Sequence, residues 1–192
     1  MKKPLLILLL VITAITASNA QFTKAGGGLA FSSGFYFNDL EFPDYRSGHF
    51  GAFIKGIYEI NMNIHISPSY TIFYPNITKD PGYRSSISSM MFDLNGHYVF
   101  NSLDRFEFYG LLGFDILLTR SKSKSSEMNE VFKERDNALG LNIGAGTYMK
   151  LTEQIDLCGE AKYILSRYGQ FMVNAGILIN LDWLIKHEKP VK

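Results

Sequence analysis

The side chains best equipped for chemistry in this chain of 192 residues are few and widely separated. His65-Ile66-Ser67 sets an imidazole two positions from a hydroxyl, a pairing in which a general base could activate a nucleophile for acyl hydrolysis. Residues i and i+2 share a face on a strand, so that chemistry needs a strand that presents both groups to a substrate. Cys158 is the single cysteine. It excludes an intramolecular disulfide and a zinc site built from several thiolates, and reads as a small packing residue. His49, His65, His97 and His187 fall on different elements, so neither a metal site nor a cofactor is expected. Gly26-Gly27-Gly28 lies in a strand pattern and precedes no helix. It fits close packing or bending better than a phosphate cradle.

A larger set of ionisable residues shares a pattern. Lys24, Lys55, Glu59, Asp93, Arg105, Glu107, Asp115, Asp156, Glu160 and Lys162 each stand opposite an apolar stripe. Charges of both signs on one face of a barrel either form a salt-bridged plug or line a narrow ion path. An eight-stranded barrel leaves little lumen once its side chains are placed, which favours the plug.

The elements that must position these residues read as strands. Met62, Ile64, Ile66, Pro68, Tyr70, Ile72 and Tyr74 alternate with Asn63, His65, Ser67, Ser69, Thr71 and Phe73, a period of two that no helix would keep. The same alternation recurs over Phe50–Ile60, Met90–Phe100, Phe106–Leu118, Leu139–Leu151, Ile155–Leu165 and Phe171–Trp183, and more weakly over Ala25–Phe37. The spacing predicts strands of roughly 10–16 residues, longer than the ~5–6 usual in soluble sheets and enough to cross a bilayer at a tilt. The fold class is all-β: an eight-stranded antiparallel up-and-down transmembrane β-barrel. An even strand number brings both ends of the barrel to one side.

Short connections around Asn61, Ser102–Asp104 and Thr152–Gln154 alternate with long ones at Asn38–Ser47, Asn76–Arg84 and Arg120–Asn137. The seventh, near Arg167–Gly169, is short where a longer loop is expected. Short turns on one side and long loops on the other match an outer-membrane barrel with its long loops extracellular. Within those loops Tyr45, Tyr83 and Phe132 are candidate contacts for a partner.

The ends set the address. Lys2 and Lys3, the apolar run Leu5–Ile15 and the small residues of Ser18-Asn19-Ala20 form the three parts of a secretory signal peptide, with a core too short to span a bilayer. Residues 1–20 are the expected signal peptide, 21–185 the barrel and 186–192 a short polar tail. Without the signal the balance becomes 17 basic against 18 acidic residues, which leaves no broad basic field for nucleic acid. No run of eighteen apolar residues follows the signal, so a membrane role must use strands.

Three features put the apolar stripe against lipid rather than around a lipocalin-like cavity. Tyr58, Tyr98, Phe100, Phe106 and Trp183 gather at the short-turn ends, and Phe35, Phe37, Phe50, Tyr74 and Phe171 near the loops, as interfacial aromatic belts do. The opposite stripe is rich in glycine and small residues, as a narrow filled interior requires. The apolar stripe itself is almost free of charge; a Lys or Arg at the midplane would cost about 2–4 kcal/mol.

With strands and signal in place, the chain resembles the small OmpA/OmpX-type barrels and looks most like the PorT-like outer-membrane β-barrel-domain family. Asn174, Gly176, Ile179 and Leu181 are similar to the polar-x-Gly-x-x-apolar-x-apolar signal by which such barrels are recognised for assembly. Members of the family commonly end on an aromatic residue, whereas here Trp183 is followed by the polar stretch Lys186–Lys192. The resemblance implies outer-membrane lipid and the barrel assembly machinery as partners. It implies a structural or surface-interaction role, with an extracellular or envelope protein as a further possible partner. The alternatives are a lipid A-modifying enzyme, a secretion or assembly helper, a narrow pore and, for a soluble chain, a hydrophobic-ligand carrier. The longer motif around His-x-Ser in lipid A deacylases is absent, and His65 and Ser67 fall on the interior stripe.

Overall fold

Alternation of apolar and polar side chains turns almost all of the described residues into strand. The computed structural model describes residues 22–33, 48–80, 83–125 and 131–181. The signal segment 1–20, the tail 186–192, Tyr45, Phe35, Phe37 and Trp183 lie outside them. Among the described residues there are nine strands: β1 Phe22–Ser32, β2 His49–Asn61, β3 Ile64–Phe73, β4 Asn76–Asp80, β5 Tyr83–Leu103, β6 Phe106–Ser125, β7 Val131–Lys150, β8 Ile155–Ser166 and β9 Gln170–Asn180.

The nine strands make eight staves. β3 and β4 both pair with β5, and the break between them falls at Tyr74-Pro75, where proline brings no N–H to the ladder. Every neighbouring pair is antiparallel, and the order β3-β2-β1-β9-β8-β7-β6-β5 closes through β3–β5. Closure matters physically, because a lipid-exposed sheet edge would leave backbone N–H and C=O groups without partners. A second proline, Pro68, falls where the β2–β3 pairing is interrupted between Lys55↔Ser69 and Tyr58↔Ile66, and the register is the same on both sides of the gap.

The two faces separate as the alternation predicts. Leu29, Ile54, Leu112, Phe114, Leu139 and Ile143 stand exposed on the outside, and Leu139 keeps 75% of its surface. In a soluble protein such a wall would aggregate; in lipid it is the solvated face. The interior is less polar than the sequence suggests. Phe53, Ile57, Met91, Leu117, Ile164, Met172 and Leu178 are buried there beside the charges. A narrow lumen has to be filled by volume, and small polar residues alone cannot fill it.

The greatest departure is in strand length. β5, β6 and β7 run for 21, 20 and 20 residues, against the ~9–11 that cross a bilayer. Stretches expected as loops, Asn76–Arg84 and Arg120–Asn137, are therefore mostly strand. Tyr83 opens β5 and Phe132 lies in β7, so neither is a loop residue. These segments are rich in Ser, Lys, Arg and Glu and carry no apolar stripe. Ladder hydrogen bonds extend the hairpins beyond the part that hydrophobicity marks. The barrel thus has a turn end, with short links at 62–63, 104–105 and 151–154, and a hairpin end where β4–β7 project.

Candidate functional site

The inward positions of β1, β2, β3, β5, β6, β7, β8 and β9 converge on a polar network along the barrel axis. Nearest the turn end, Lys24 Nζ lies 3.0 Å from Asp156 and 3.9 Å from Glu59, and 5.3 Å from the centre of the Tyr148 ring. Below it a mouth of about 430 Å³ is lined by Glu59, His65, Val99, Asn101, Ser102 and Glu107.

One layer higher, Lys55 Nζ donates to Glu160 Oε2 at 2.7 Å, and the two side chains are 1% and 2% exposed. Tyr109 Oη also donates to Glu160 Oε2, at 3.2 Å, and Asn174 Nδ2 approaches Oε1 at 3.4 Å. His97 stacks on Tyr109 with ring centres 4.3 Å apart, and its Nδ1 is 2.6 Å from Tyr148 Oη. Tyr109 and Tyr148 stack in turn at 4.5 Å. Gly146 makes room for this pile: a Cβ there would stand 2.4 Å from the Tyr109 ring.

Toward the hairpin end, Asp93 Oδ1 accepts from Lys162 Nζ at 2.6 Å and from Asn142 Nδ2 at 2.9 Å, while Ser69 Oγ donates to Oδ2 at 3.0 Å. Both members of the Lys162–Asp93 pair are fully buried. Ion pairs sealed from water hold together only because each charge is met by a partner and by further hydrogen bonds. Asp115 faces the same layer across from Asp93, with no hydrogen-bond partner for Oδ1 among the described residues. Gly140 leaves it space, since a Cβ there would lie 2.2 Å from that oxygen.

Of the ten ionisable residues singled out from the alternation, the fold brings Lys24, Glu59 and Asp156 together, pairs Lys55 with Glu160 and Lys162 with Asp93, and sets Asp115 beside Asp93. Glu107 lines the turn-end mouth. Arg105 is a correction: it occupies the exposed β5–β6 turn, where its carbonyl accepts from Lys150 N. The strand pattern begins one residue later, so its parity does not reach Arg105. Alternation by hydrophobicity missed Tyr109 and Tyr148, because aromatic residues on the inward parity look like noise in an apolar–polar count. The glycines at 140 and 146, directly beside large inward groups, were the available signal.

Extending over the interior and the wall at once, such an arrangement is that of a filled barrel in lipid, and the chain matches the outer membrane protein beta-barrel domain over residues 5–183. The chain belongs to that family. No curated protein is similar enough to match it. Among solved structures, this outer-membrane barrel is similar to Neisserial surface protein A, NspA, at TM-score 0.57 and 17% identity, covering 85% of this chain and 99% of that one. Ail, the attachment invasion locus protein of Yersinia pestis, gives 0.53 and 15%, over 82% and 99%. The N-terminal β-barrel domain of Pseudomonas aeruginosa OprF gives 0.54 and 16%, over 84% and 99%. Identities this low speak for the fold.

In an outer-membrane barrel the inward placement of His65 and Ser67 has a consequence. Both are buried, at 2% and 0% exposure, and His65 Nδ1 and Ser67 Oγ find no hydrogen-bond partner among the described residues. The wall separates them from lipid on the outside. The proposed assembly residues divide between faces. Asn174 is buried inside, Gly176 lies against β1, where a Cβ would stand 2.5 Å from Gly27 O, and Ile179 faces lipid. Leu181 borders an apolar hollow of about 650 Å³ on the outer wall with Phe22, Ile54, Tyr70 and Phe92.

At the hairpin end a smaller cluster ties two elements. Arg167 and Tyr168, in the β8–β9 turn, both hydrogen-bond Asp136 Oδ2 on β7, while Asn137 N donates to Asp136 Oδ1 at 2.8 Å. Burial works against ionisation of Asp136, but the bonds from Tyr168, Asn137 and Arg167 outweigh it and hold the carboxyl below its ordinary range.

Proposed function

We propose that this protein is a non-enzymatic barrel of the outer membrane that acts through the sheet it raises above the bilayer. In this reading residues 1–20 are removed on export. The turn end and both termini face the periplasm, and the hairpin end is extracellular. Asn174, Gly176, Ile179 and Leu181 serve recognition by the assembly machinery. The single observation that carries the reading is the length of β5, β6 and β7, about twice what a crossing needs. The interior supports it: side chains of Lys55, His97, Tyr109, Tyr148 and Glu160, all nearly inaccessible, fill the cross-section, so interaction falls to the projecting surface. NspA and Ail are described as a surface protein and an attachment protein, which agrees with a role at the surface.

Register supplies a clean test. Ser121 pairs with Glu134, so replacing Lys122–Lys133 by Asn-Gly joins β6 to β7 through a two-residue turn suited to a hairpin. The shortened protein should still migrate faster unboiled than boiled, and should lose the crosslinked adducts that the full chain forms on intact cells. Adducts that persist unchanged would sink the reading.

A further inference from the structure

The projecting sheet sorts its charges by face. Met90 of β5 pairs with Leu118 of β6, which pairs with Asn137 of β7, and Met90 is exposed on the lipid side. Two residues farther out, the same face carries Ser88, Arg120 and Arg135 in register, and two farther again Ser86, Lys122 and Lys133. Arg120, Lys122, Lys133 and Arg135 are all exposed. The acids Glu134 and Asp136 alternate with Lys133 and Arg135 and so belong to the other face, where Asp136 is already engaged by Arg167 and Tyr168. Among the described residues no ion pair involves any of the four cations.

Like charges directly opposite one another destabilise a sheet, yet Arg120 faces Arg135 and Lys122 faces Lys133. An anion between them would remove that repulsion. Height says which anion. Rows two residues apart are about 7 Å apart along the strand, or about 5 Å in height at a barrel tilt. The arginine row therefore sits about 5 Å above the apolar edge, and the lysine row about 10 Å above it. A headgroup layer is roughly 5–8 Å thick on each side of the hydrocarbon. Two guanidinium groups at that level suit bidentate binding of phosphate, and ammonium groups farther out suit a second, looser contact.

We propose that the outward face of β6 and β7 just above the apolar belt binds phosphate groups of anionic lipid in the outer leaflet, with Arg120 and Arg135 as the inner clamp and Lys122 and Lys133 as the outer contact. This rests on the reading that the hairpin end is extracellular. The test uses the full mature chain and the variant R120Q/K122Q/K133Q/R135Q in phosphatidylcholine vesicles containing a small fraction of bisphosphorylated lipid A, or of the same lipid A stripped of phosphate. Lipid retained on the purified barrel is counted by mass spectrometry.

The wild type should retain the phosphorylated form in preference to the stripped one. The variant should retain at least about tenfold less, since each basic residue at an anionic surface adds to the attraction. Boiled and unboiled gel mobility establishes that the variant is folded. Should it not fold, competition on the wild type by salt and by inorganic phosphate reads the same quantity, and insensitivity to both would overturn the proposal. Equal retention by a folded variant would overturn it too. So would binding of a sulfated glycan in lipid-free detergent, lost in the variant, without discrimination between the two lipids; that result would give the face to a soluble polyanion. Trypsin added to intact cells tests the orientation separately: cleavage only after the outer membrane is opened would refute the extracellular reading, whatever the vesicles show.

Discussion

At the scale of single residues, stability depends on charges that are sealed inside. Lys55 and Glu160 meet at 2.7 Å almost without exposure, so Lys55→Met strands a carboxylate and should cost about 3–5 kcal/mol. Lys150→Met, at an exposed position, should change stability by no more than about 0.5 kcal/mol. Urea midpoints of the two variants in the same detergent compare them directly, and equal midpoints would remove the network from the account. Gly146→Val drives a side chain into the Tyr109 ring and should lower the midpoint as well, whereas Gly110→Ala, with nothing near its Cβ position, should not. The Asp136 cluster behaves differently, because its carboxyl is held below the ordinary value. Its contribution is complete above the unfolded value near ~4 and is lost as pH falls through the lower folded value. Protease cleavage at the β8–β9 turn should therefore rise at acid pH in the wild type, and be high and nearly independent of pH in Asp136→Asn.

At the scale of elements, the membrane-crossing strands were legible and their extensions were not. Ile64 to Phe73 could be read directly, since lipid on one side and a packed lumen on the other force a period of two. Between Leu118 and Ala138 polar residues stand on both faces, so no apolar stripe marks the strand, and Arg120–Asn137 reads as loop. Tyr83 and Phe132 were misplaced for that reason. Parity alone puts Arg105 inside because the alternation runs one residue past the strand into a turn, and it does not single out Tyr109 and Tyr148 because filling a lumen by volume is not a matter of polarity. What the site added to the sequence was therefore the pairing of charges, which depends on register between strands far apart in the chain, such as β2 with β8 across the lumen. If the extensions are true strand, amides in 119–124 and 132–137 should exchange slowly in hydrogen-exchange measurements on the reconstituted barrel. Rapid exchange throughout would return them to loop.

At the scale of the whole molecule, closure and filling work together. Eight staves close the backbone ladder on itself through β3–β5, and the interior ion pairs bridge strands that do not touch, Lys55 of β2 to Glu160 of β8 and Asp93 of β5 to Lys162 of β8. A barrel cross-braced in this way should carry no steady current across a planar bilayer. The most direct test of the central claim is the gel mobility, boiled and unboiled, of the protein extracted from separated outer membranes. The account predicts an outer-membrane protein that migrates faster before heating, as a closed barrel that resists detergent does. A soluble periplasmic protein with no shift on heating would contradict it, and the apolar wall would then have to be explained as something other than a surface for lipid.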